Sequence, residues 1–468
     1  MGVTEELWSL DAVELSDGYR SGKFTPVDAA EAVLSRIEEE NSRINAFCAI
    51  DPELTLKQAS SSRRRYSLGA PLSALDGVPV SVKDNILTTE WASRRGSAVL
   101  PAVEPIATDA PATATLRAAG AVLLGKTTMP ELGWKAVTDS PLTGITRNPW
   151  DLARTPGGSS GGAAAAVAAG MGPIGLGTDG GGSIRIPAAF TGTVGFKPTR
   201  GLVPLWPGSA FGSLAHVGPI ARSVADVQLT MSVIGRPDDR DMSFDHDAFV
   251  PIAWPQEATD LVGLRFAYVP SYGDAGNDKE VASIVDSDVE MIAMAGAAVE
   301  LTELSYDGLL DAFRTMWFSG AARALSSVGT AVDGMDPGLV AVVARAEAYS
   351  ADDVEAAATT HYRFAKELDD LFADHDFLIT PTVPILPFEV GRDVPDGWFS
   401  SDWPSWTPTT FVINSTGLPA ISIPAGCSSG GLPVGLQVVG KHGSDEVLLQ
   451  AAAAMEKIIG RVTLLSWV

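Results

Sequence analysis

The chain has 468 residues, of which 57 are Asp or Glu and 33 are Lys or Arg, so its formal net charge is −24. Such a surface repels the phosphates of nucleic acids and of anionic membranes, and we expect it to bind neither. The two cysteines, Cys48 and Cys427, are too few for a disulfide framework or a cysteine-rich zinc site.

The first predicted elements are a helix and a strand. The opening residues are acidic and contain no apolar signal segment, so a cytoplasmic location is expected. Residues 25–45, "TPVDAAEAVLSRIEEENSRIN", predict a helix with Thr25 as its N-cap and Pro26 in its first turn. "GVPVSVKD" predicts a short strand that ends at Lys83.

The next segment, "GAVLLGKT" at residues 120–127, matches the phosphate-loop pattern letter for letter. In a phosphate loop the first glycine follows a strand and the next four residues form a loop. Here Gly120 closes a predicted helix, "TDAPATATLRAAG", and the residues after it form a predicted apolar strand, "AVLLG". We therefore interpret the segment as a helix end and a buried strand.

Short strands alternate with helices along the rest of the chain. Strands are predicted in "GPIGLGTD", "GLRFAYVP", "AVELTEL", "DFLITP", "AISIPAG" and "VGLQVVG", and helices in "SVADVQLTMSVIG", in residues 337–372 and in "SDEVLLQAAAAMEKIIG". This alternation predicts an α/β fold with a parallel or mixed sheet. The loop at 235–247 places His246 among aspartates, but its spacing fits no known ligand scheme, so no metal or cofactor is expected.

Two glycine–serine clusters suggest chemistry. They are "TPGGSSGG", residues 155–162, and "GTDGGGS", residues 177–183. Free backbone N–H groups beside Ser183 could stabilise an oxyanion, which makes Ser183 a candidate nucleophile; the alternative is a simple turn. None of the five histidines lies in a motif with a serine. A buried Lys83 with a lowered pKa could replace histidine as the base, although it could also be a surface lysine paired with Asp84.

Several separated blocks, in this order, resemble the amidase signature family. They are "GVPVSVKDNI", "TPGGSSGG", "GTDGGGSIRIPAAFTGTVGFKPT" and "NSTGLPAISIPAG…GLPVGLQVVG". The resemblance extends from about residue 25 to about residue 460 and implies one α/β domain. Its central mixed, twisted β-sheet has roughly eleven strands surrounded by α-helices. The N-terminal helices would span about 1–65 and the signature core about 70–235, and residues 236–468 would complete the sheet and the substrate pocket.

The resemblance also implies roles for individual residues. Lys83 is the base, Ser159 is the bridging serine on a cis peptide bond, and Ser183 is the nucleophile of a Ser-cisSer-Lys triad. The expected oxyanion donors are the backbone N–H groups of Gly180, Gly181, Gly182 and Ser183. The expected supporting residues are Ser160 and an ion pair between Asp179 and Arg185.

The expected substrate pocket is apolar and aromatic. Some relatives that act on small carboxylates carry an arginine three positions after the nucleophile, where this chain has Ile186. Aromatic residues, some in an apparently irregular segment at 398–411, are candidate walls, although each alone could belong to the core. The full candidate set is Gly133, Trp134, Ile186, Trp317, Trp398, Trp403 and Trp406.

Together, these observations predict that the chain is a metal-free amidase, which hydrolyses small apolar or aryl amides through an acyl-enzyme on Ser183. Aryl acylamidase or urethanase activity, on anilides, carbamates or esters, falls within this prediction. The alternative is a glutaminase like the glutamine-hydrolysing subunit of glutamyl-tRNA(Gln) amidotransferase, which the acidic charge disfavours. A catalytically inactive binding protein is disfavoured because all three triad residues are present. The expected partners are a small amide and water, and the chain is expected to be a monomer or homodimer.

Overall fold

The computed structural model describes residues 6–104, 108–241, 250–255, 260–273, 276–327 and 332–461. Its helices are α1 Ala12–Ser21, α2 Pro26–Ile44, α3 Pro52–Ser67, α4 Pro111–Ala118, α5 Gly161–Ala168, α6 Arg185–Thr191, α7 Val224–Ile234, α8 Lys279–Met294, α9 Leu309–Ser326, α10 Pro337–Ala346, α11 Ala351–Asp374, α12 Pro408–Thr416 and α13 Asp445–Ile459. Its strands are β1 Phe47–Ile50, β2 Pro79–Lys83, β3 Val122–Thr127, β4 Asp139–Ser140, β5 Gly144–Ile145, β6 Ile174–Asp179, β7 Val194–Lys197, β8 His216–Ala221, β9 Arg265–Tyr268, β10 Ala298–Leu301, β11 Phe377–Pro381, β12 Ala420–Cys427 and β13 Pro433–Gly440.

Eleven of these strands form one mixed sheet in the order β1-β3-β2-β6-β8-β7-β12-β13-β11-β9-β10. The pairs β3–β2, β2–β6, β11–β9 and β9–β10 are parallel, and the other neighbours are antiparallel. The predicted mixed α/β sheet surrounded by helices is confirmed. Because β2 and β6 are parallel neighbours, their carboxyl ends lie at one edge of the sheet, where Lys83 ends β2 and Asp179 ends β6.

Local signals explain where the first elements begin and end. The Thr25 hydroxyl accepts the Asp28 N–H at 3.3 Å, and the Asp28 carboxylate accepts the Thr25 N–H at 2.7 Å, which caps α2 as predicted. Gly120 has φ of 88° after α4, and β3 follows directly. The Lys126 ammonium is buried and donates to the Ile86 carbonyl and the Ser93 hydroxyl. The segment "GAVLLGKT" is therefore a helix end and a buried strand, as interpreted.

Two of the helices that were not predicted, α5 and α6, lack an amphipathic pattern. Every residue of α5 is buried, and so is every residue of α6, so neither helix has a polar face to reveal its period. The segment at 398–411 was expected to be irregular. Within it, Trp403–Trp406 form a short 3-10 helix and Pro408 begins α12.

The described residues include no helix that combines the length and the apolar character needed to span a bilayer. Both thiols, Cys48 and Cys427, are free. The expected division of the chain into N-terminal helices, signature core and remainder within one domain stays a prediction.

Candidate active site

Lys83 lies at the carboxyl end of β2, between the parallel strands β3 and β6, and it has no exposed surface. Its ammonium nitrogen is 2.7 Å from the Ser159 hydroxyl, 2.9 Å from the Ser160 hydroxyl and 2.9 Å from the Thr178 hydroxyl. The alternative of a surface lysine is therefore wrong. Three neutral hydroxyls hold the amine in one position at the base of the site.

The environment of Lys83 favours its neutral form. Burial lowers the pKa of Lys83 to about 7, although the nearby charge of Asp179 raises it in part. A neutral amine can accept a proton from a neighbouring hydroxyl. The site therefore holds a base close to neutral pH.

The segment that carries Ser159 and Ser160 leads into α5. The peptide bond that precedes Ser159 is cis, as the resemblance implied. The Ser160 hydroxyl accepts the Thr178 N–H at 3.2 Å and donates to the Thr178 carbonyl at 3.1 Å. The Ser160 N–H donates to the Ser183 carbonyl at 3.1 Å. Ser160 thus fastens the two serine segments to the end of β6 and to each other.

The glycine run between β6 and α6 carries Ser183, and one expected donor in it is occupied. The Gly182 N–H donates to the Asp179 carboxylate at 2.7 Å, so it cannot serve an oxyanion while that bond holds. This corrects the expected set of four donors. Among the described hydrogen bonds, none is donated by the N–H of Gly180, Gly181 or Ser183. These three groups remain for a substrate oxygen.

Asp179 and Arg185 form the expected ion pair directly beneath this loop, and neither side chain has exposed surface. Arg185 Nε lies 3.0 Å from Asp179 Oδ2, and Arg185 also donates to Gln437 and Asn414, each at 2.6 Å. Burial alone would raise the pKa of Asp179, but Arg185 and Asn414 hold it well below its usual range. The ionised carboxylate accepts backbone N–H groups and so shapes the turn that presents Ser183.

A cavity of about 270 Å³ lies at the serines, and its wall is mainly apolar. Its lining includes Asn85, Ile86, Leu87, Arg95, Val103, Met129, Leu132, Gly133, Ser159, Thr178, Gly180, Ser183, Leu205, Trp206, Phe211, Val217 and Trp317. Of the expected pocket residues, Gly133 and Trp317 line this cavity. Phe211 stacks on Trp317 with ring centroids 4.0 Å apart. The cavity can therefore hold a small molecule with an apolar or aromatic part.

Ile186 and Trp403 do not line the cavity, which corrects two expected pocket positions. Ile186 is fully buried behind the serine loops, since a Cβ on Gly157 or Gly182 would lie 3.1 Å or 2.7 Å from its side chain. Trp403 packs behind the glycine run at residues 180–182, where a Cβ on Gly181 would lie 2.9 Å from its ring. Both residues support the loops instead of facing the cavity.

Trp134, Trp398 and Trp406 are also absent from the cavity wall. Trp134 packs at the start of α10, where a Cβ on Gly338 would lie 2.5 Å from its ring. Trp406 is fully buried and stacks on Phe190 with centroids 5.8 Å apart. Trp398 donates from its indole nitrogen to Ser405 at 2.9 Å. These aromatic rings belong to the packing around the site.

Five residues that line the cavity were not predicted from the sequence: Asn85, Thr178, Arg95, Trp206 and Phe211. The Thr178 hydroxyl accepts from both Lys83 and Asn85, the latter at 3.1 Å. Asn85 follows Lys83 by two positions, and Thr178 directly precedes Asp179. Both residues lie within motifs that the sequence analysis identified, so their closeness to the site could have been predicted. Trp206, Phe211 and Arg95 lie in loops whose route only the structure reveals.

The described residues contain no group of three or more His, Cys, Asp or Glu side chains that could hold a metal ion. Asp238 in the acidic loop pairs with Arg240, with nitrogen and oxygen 2.6 Å apart. Asp245, His246 and Asp247 of the same loop lie outside the described residues.

Comparisons with known proteins find similarity to amidases and to amidotransferase subunits. A family model described as Amidase matches residues 28–449. A glutamyl-tRNA(Gln) amidotransferase subunit from Symbiobacterium thermophilum is 36% identical over 96% of this chain and 96% of its own length. A bacterial aryl acylamidase of the amidase signature family superimposes with a TM-score of 0.88, at 27% identity and 96% coverage of both chains. A 6-aminohexanoate cyclic dimer hydrolase gives a TM-score of 0.86, at 30% identity and 97% and 98% coverage.

Proposed function

This chain belongs to the amidase family, and we propose that within this family it hydrolyses small amides that carry an apolar or aryl portion. The chemistry would proceed through an acyl-enzyme on Ser183. The observation that carries the substrate proposal is the apolar wall of the cavity at Ser183, with Phe211 stacked on Trp317.

In the proposed first step, the Ser183 hydroxyl attacks the amide carbonyl carbon. Its proton passes to Ser159, whose own proton passes to neutral Lys83 over the 2.7 Å contact between them. The carbonyl oxygen becomes negative and is stabilised by the free N–H groups of Gly180, Gly181 and Ser183. The same relay run in reverse then protonates the leaving nitrogen, and the C–N bond breaks.

The second half of the cycle consumes water. A water molecule attacks the acyl-enzyme carbonyl while the relay accepts one of its protons. Collapse of the tetrahedral intermediate breaks the ester bond, returns a proton to Ser183 and releases the carboxylic acid. The chain's own groups supply each proton transfer in this scheme.

Glutamine hydrolysis is the second candidate, because the amidotransferase subunit is 36% identical to this chain. Free glutamine carries an ammonium group next to its carboxylate. Asp179 is the carboxylate among the described lining residues, and it is engaged by Arg185, Asn414 and Gly182. The described wall therefore offers no free acid for that ammonium, and the apolar amide remains the better fit.

The test compares kcat/KM of the purified protein on 4-nitroacetanilide, glutamine and malonamate. We expect the anilide to be preferred by tens to hundreds of fold, since burying one ring against apolar walls contributes about 2–3 kcal/mol. A preference for glutamine or malonamate would contradict the proposed substrate class.

Ser183→Ala is the matched control for the chemistry. It should abolish turnover of all three substrates and prevent labelling by a fluorophosphonate, while the thermal transition stays near that of the wild type. Labelling or turnover that persists in Ser183→Ala would show that another nucleophile acts.

A further inference from the structure

Arg95 occupies an unusual backbone position on the cavity wall. Arg95 and Leu132 have φ of 55° and 53°, and they are two of the three non-glycine residues with positive φ in the described part of the chain. The Leu132 N–H donates to the Arg95 carbonyl at 2.8 Å, and both residues line the cavity. Such conformations cost energy for residues other than glycine and concentrate at functional sites.

The same wall connects Arg95 to the catalytic serines. Gly133 follows Leu132, and a Cβ on Gly133 would lie 3.4 Å from the Ser159 hydroxyl. The Gly96 backbone packs so closely on Met129 that a Cβ there would lie 2.6 Å from the Met129 carbonyl oxygen. Arg95 is therefore held against the segment that borders Ser159, and its position on the wall is set by packed backbone.

The Arg95 guanidinium lacks the kind of carboxylate partner that Arg65 and Arg117, two other partly buried arginines, have. One terminal nitrogen donates to the Pro101 carbonyl at 3.0 Å, and Nε is buried without a hydrogen-bond partner. By contrast, Arg65 and Arg117 bind carboxylates at 2.5 Å and 2.7 Å. Among the described residues no carboxylate lies within 4.0 Å of Arg95, so donors that could serve an anion remain on its guanidinium.

The charge balance of the cavity favours an anion over a zwitterion. Arg95 is the cation among the described lining residues, and Asp179, the lining carboxylate, is occupied by Arg185. Burial lowers the pKa of Arg95 and the charge of Asp84 raises it, but a guanidinium remains charged at physiological pH. A partly desolvated cation without a carboxylate is stabilised most by a ligand that brings one.

We propose that Arg95 binds a carboxylate of the substrate, so that the preferred substrates are amides with an apolar body and an anionic end. The inference rests on the proposed function and narrows its substrate class. In this arrangement the apolar wall contacts the apolar body of the substrate, and the Ser183 hydroxyl lies next to the amide carbonyl. The Arg95 guanidinium forms an ion pair with the carboxylate.

The test uses two matched pairs of anilides. In the first pair, 4-acetamidobenzoate is compared with 4′-methylacetanilide, which places the charge on the amine portion. In the second, N-phenylsuccinamate is compared with N-phenylbutanamide, which places it on the acyl portion. We expect wild-type kcat/KM to favour the carboxylate in one pair by about 10- to 100-fold.

Arg95→Gln should remove this preference, so kcat/KM should fall at least about tenfold more for the favoured anionic anilide than for its neutral partner. Arg94→Gln is the matched control, because Arg94 is the exposed neighbour, and it should keep the preference. Arg95→Lys should keep part of it, since the charge remains but the planar fork is lost.

Three results would overturn the inference: no carboxylate preference in either pair, an equal loss on neutral and anionic substrates in Arg95→Gln, or an equal loss of preference in Arg94→Gln. The proposed function fails separately, because it requires wild-type turnover of the neutral anilides. Turnover of neutral anilides without a carboxylate preference would leave the amidase proposal standing and remove the role of Arg95.

Discussion

At the scale of single residues, the site depends on one buried amine. Lys83 is enclosed by three hydroxyls, and no carboxylate of the described residues is in hydrogen-bond contact with it, so burial is the main influence on its pKa. An ion pair with an acid would instead have stabilised the ammonium form. The choice of neutral partners therefore makes Lys83 suited to act as a base near neutral pH.

The pKa of Lys83 predicts the pH dependence of catalysis. Only the neutral amine accepts a proton, so kcat for an anilide should rise about tenfold per pH unit below the pKa of about 7 and level off above it. Lys83→Met should lower amide turnover by about 10²- to 10⁴-fold, with a smaller loss on 4-nitrophenyl acetate, whose leaving group needs no proton. Stopped-flow or steady-state profiles from about pH 5 to about pH 10, on either side of the expected inflection, measure both effects.

Two other buried lysines serve as comparisons for this profile. Burial lowers the pKa of Lys197 to about 7 and of Lys126 to about 8. In the described part of the chain, neither ammonium contacts Ser159 or Ser183. If Lys83→Met retained the same inflection near the pKa of about 7 with wild-type amide rates, the base would have to be another group.

At the scale of elements, α9 and the 3-10 helix Trp403–Trp406 pack against the loop of residues 180–183, which carries the proposed oxyanion donors. A Cβ on Gly180 would lie 2.8 Å from the Trp317 ring, and one on Gly181 would lie 2.9 Å from both Phe313 and Trp403. The aromatic rings thus require glycine in the loop and hold its N–H groups in place. Residues distant in sequence determine the direction in which the donors point.

Gly181→Ala tests this support. The added methyl group meets two rings that are themselves packed together, so the loop must shift and its donors lose their alignment. We expect kcat for the anilide to fall by about 10- to 10³-fold, in the range seen when one oxyanion donor is lost. Gly430→Ala, in an exposed turn where the nearest atom would lie 3.8 Å away, is the control and should keep full activity. Unchanged kcat in Gly181→Ala would show that the rings do not position the loop.

At the scale of the whole molecule, the formal net charge of −24 disfavours binding to nucleic acids. Proteins contact the phosphates of nucleic acids through clustered Lys and Arg side chains. An acidic surface repels RNA unless the salt concentration is high enough to screen the charges. Because the chain is similar to a subunit of a glutamyl-tRNA(Gln) amidotransferase, its affinity for tRNA distinguishes the two candidate functions.

We predict that the protein does not bind tRNA. The dissociation constant for tRNA should exceed about 100 µM in about 50 mM salt, so the binding would be weaker than ordinary non-specific binding to nucleic acid. A filter-binding or fluorescence-anisotropy titration measures it, with the acidic protein bovine serum albumin as a negative control. Saturable binding in the micromolar range, or a glutaminase activity stimulated by tRNA, would instead favour the amidotransferase alternative.

The sequence alone determined the fold class and the elements with strong local signals. The cap at Thr25, the end of β2 at Lys83 and the end of α4 near Gly120 depend on residues adjacent in the chain, so they could be read directly. The motifs around Ser159 and Ser183 could also be recognised from the sequence, because the glycines and serines of each motif are contiguous. The helices α5 and α6 are buried on all sides and were not predicted, because neither has a polar face that would reveal a helical period in the sequence.

The tertiary structure decided which residues form the wall of the cavity. Trp403 and Ile186 have the apolar character expected of a pocket, but they pack behind the serine loops. Arg95 and Phe211 face the cavity because loops from separate parts of the chain meet there. Composition indicates which side chains are buried, but the direction each side chain faces depends on how elements distant in sequence pack together.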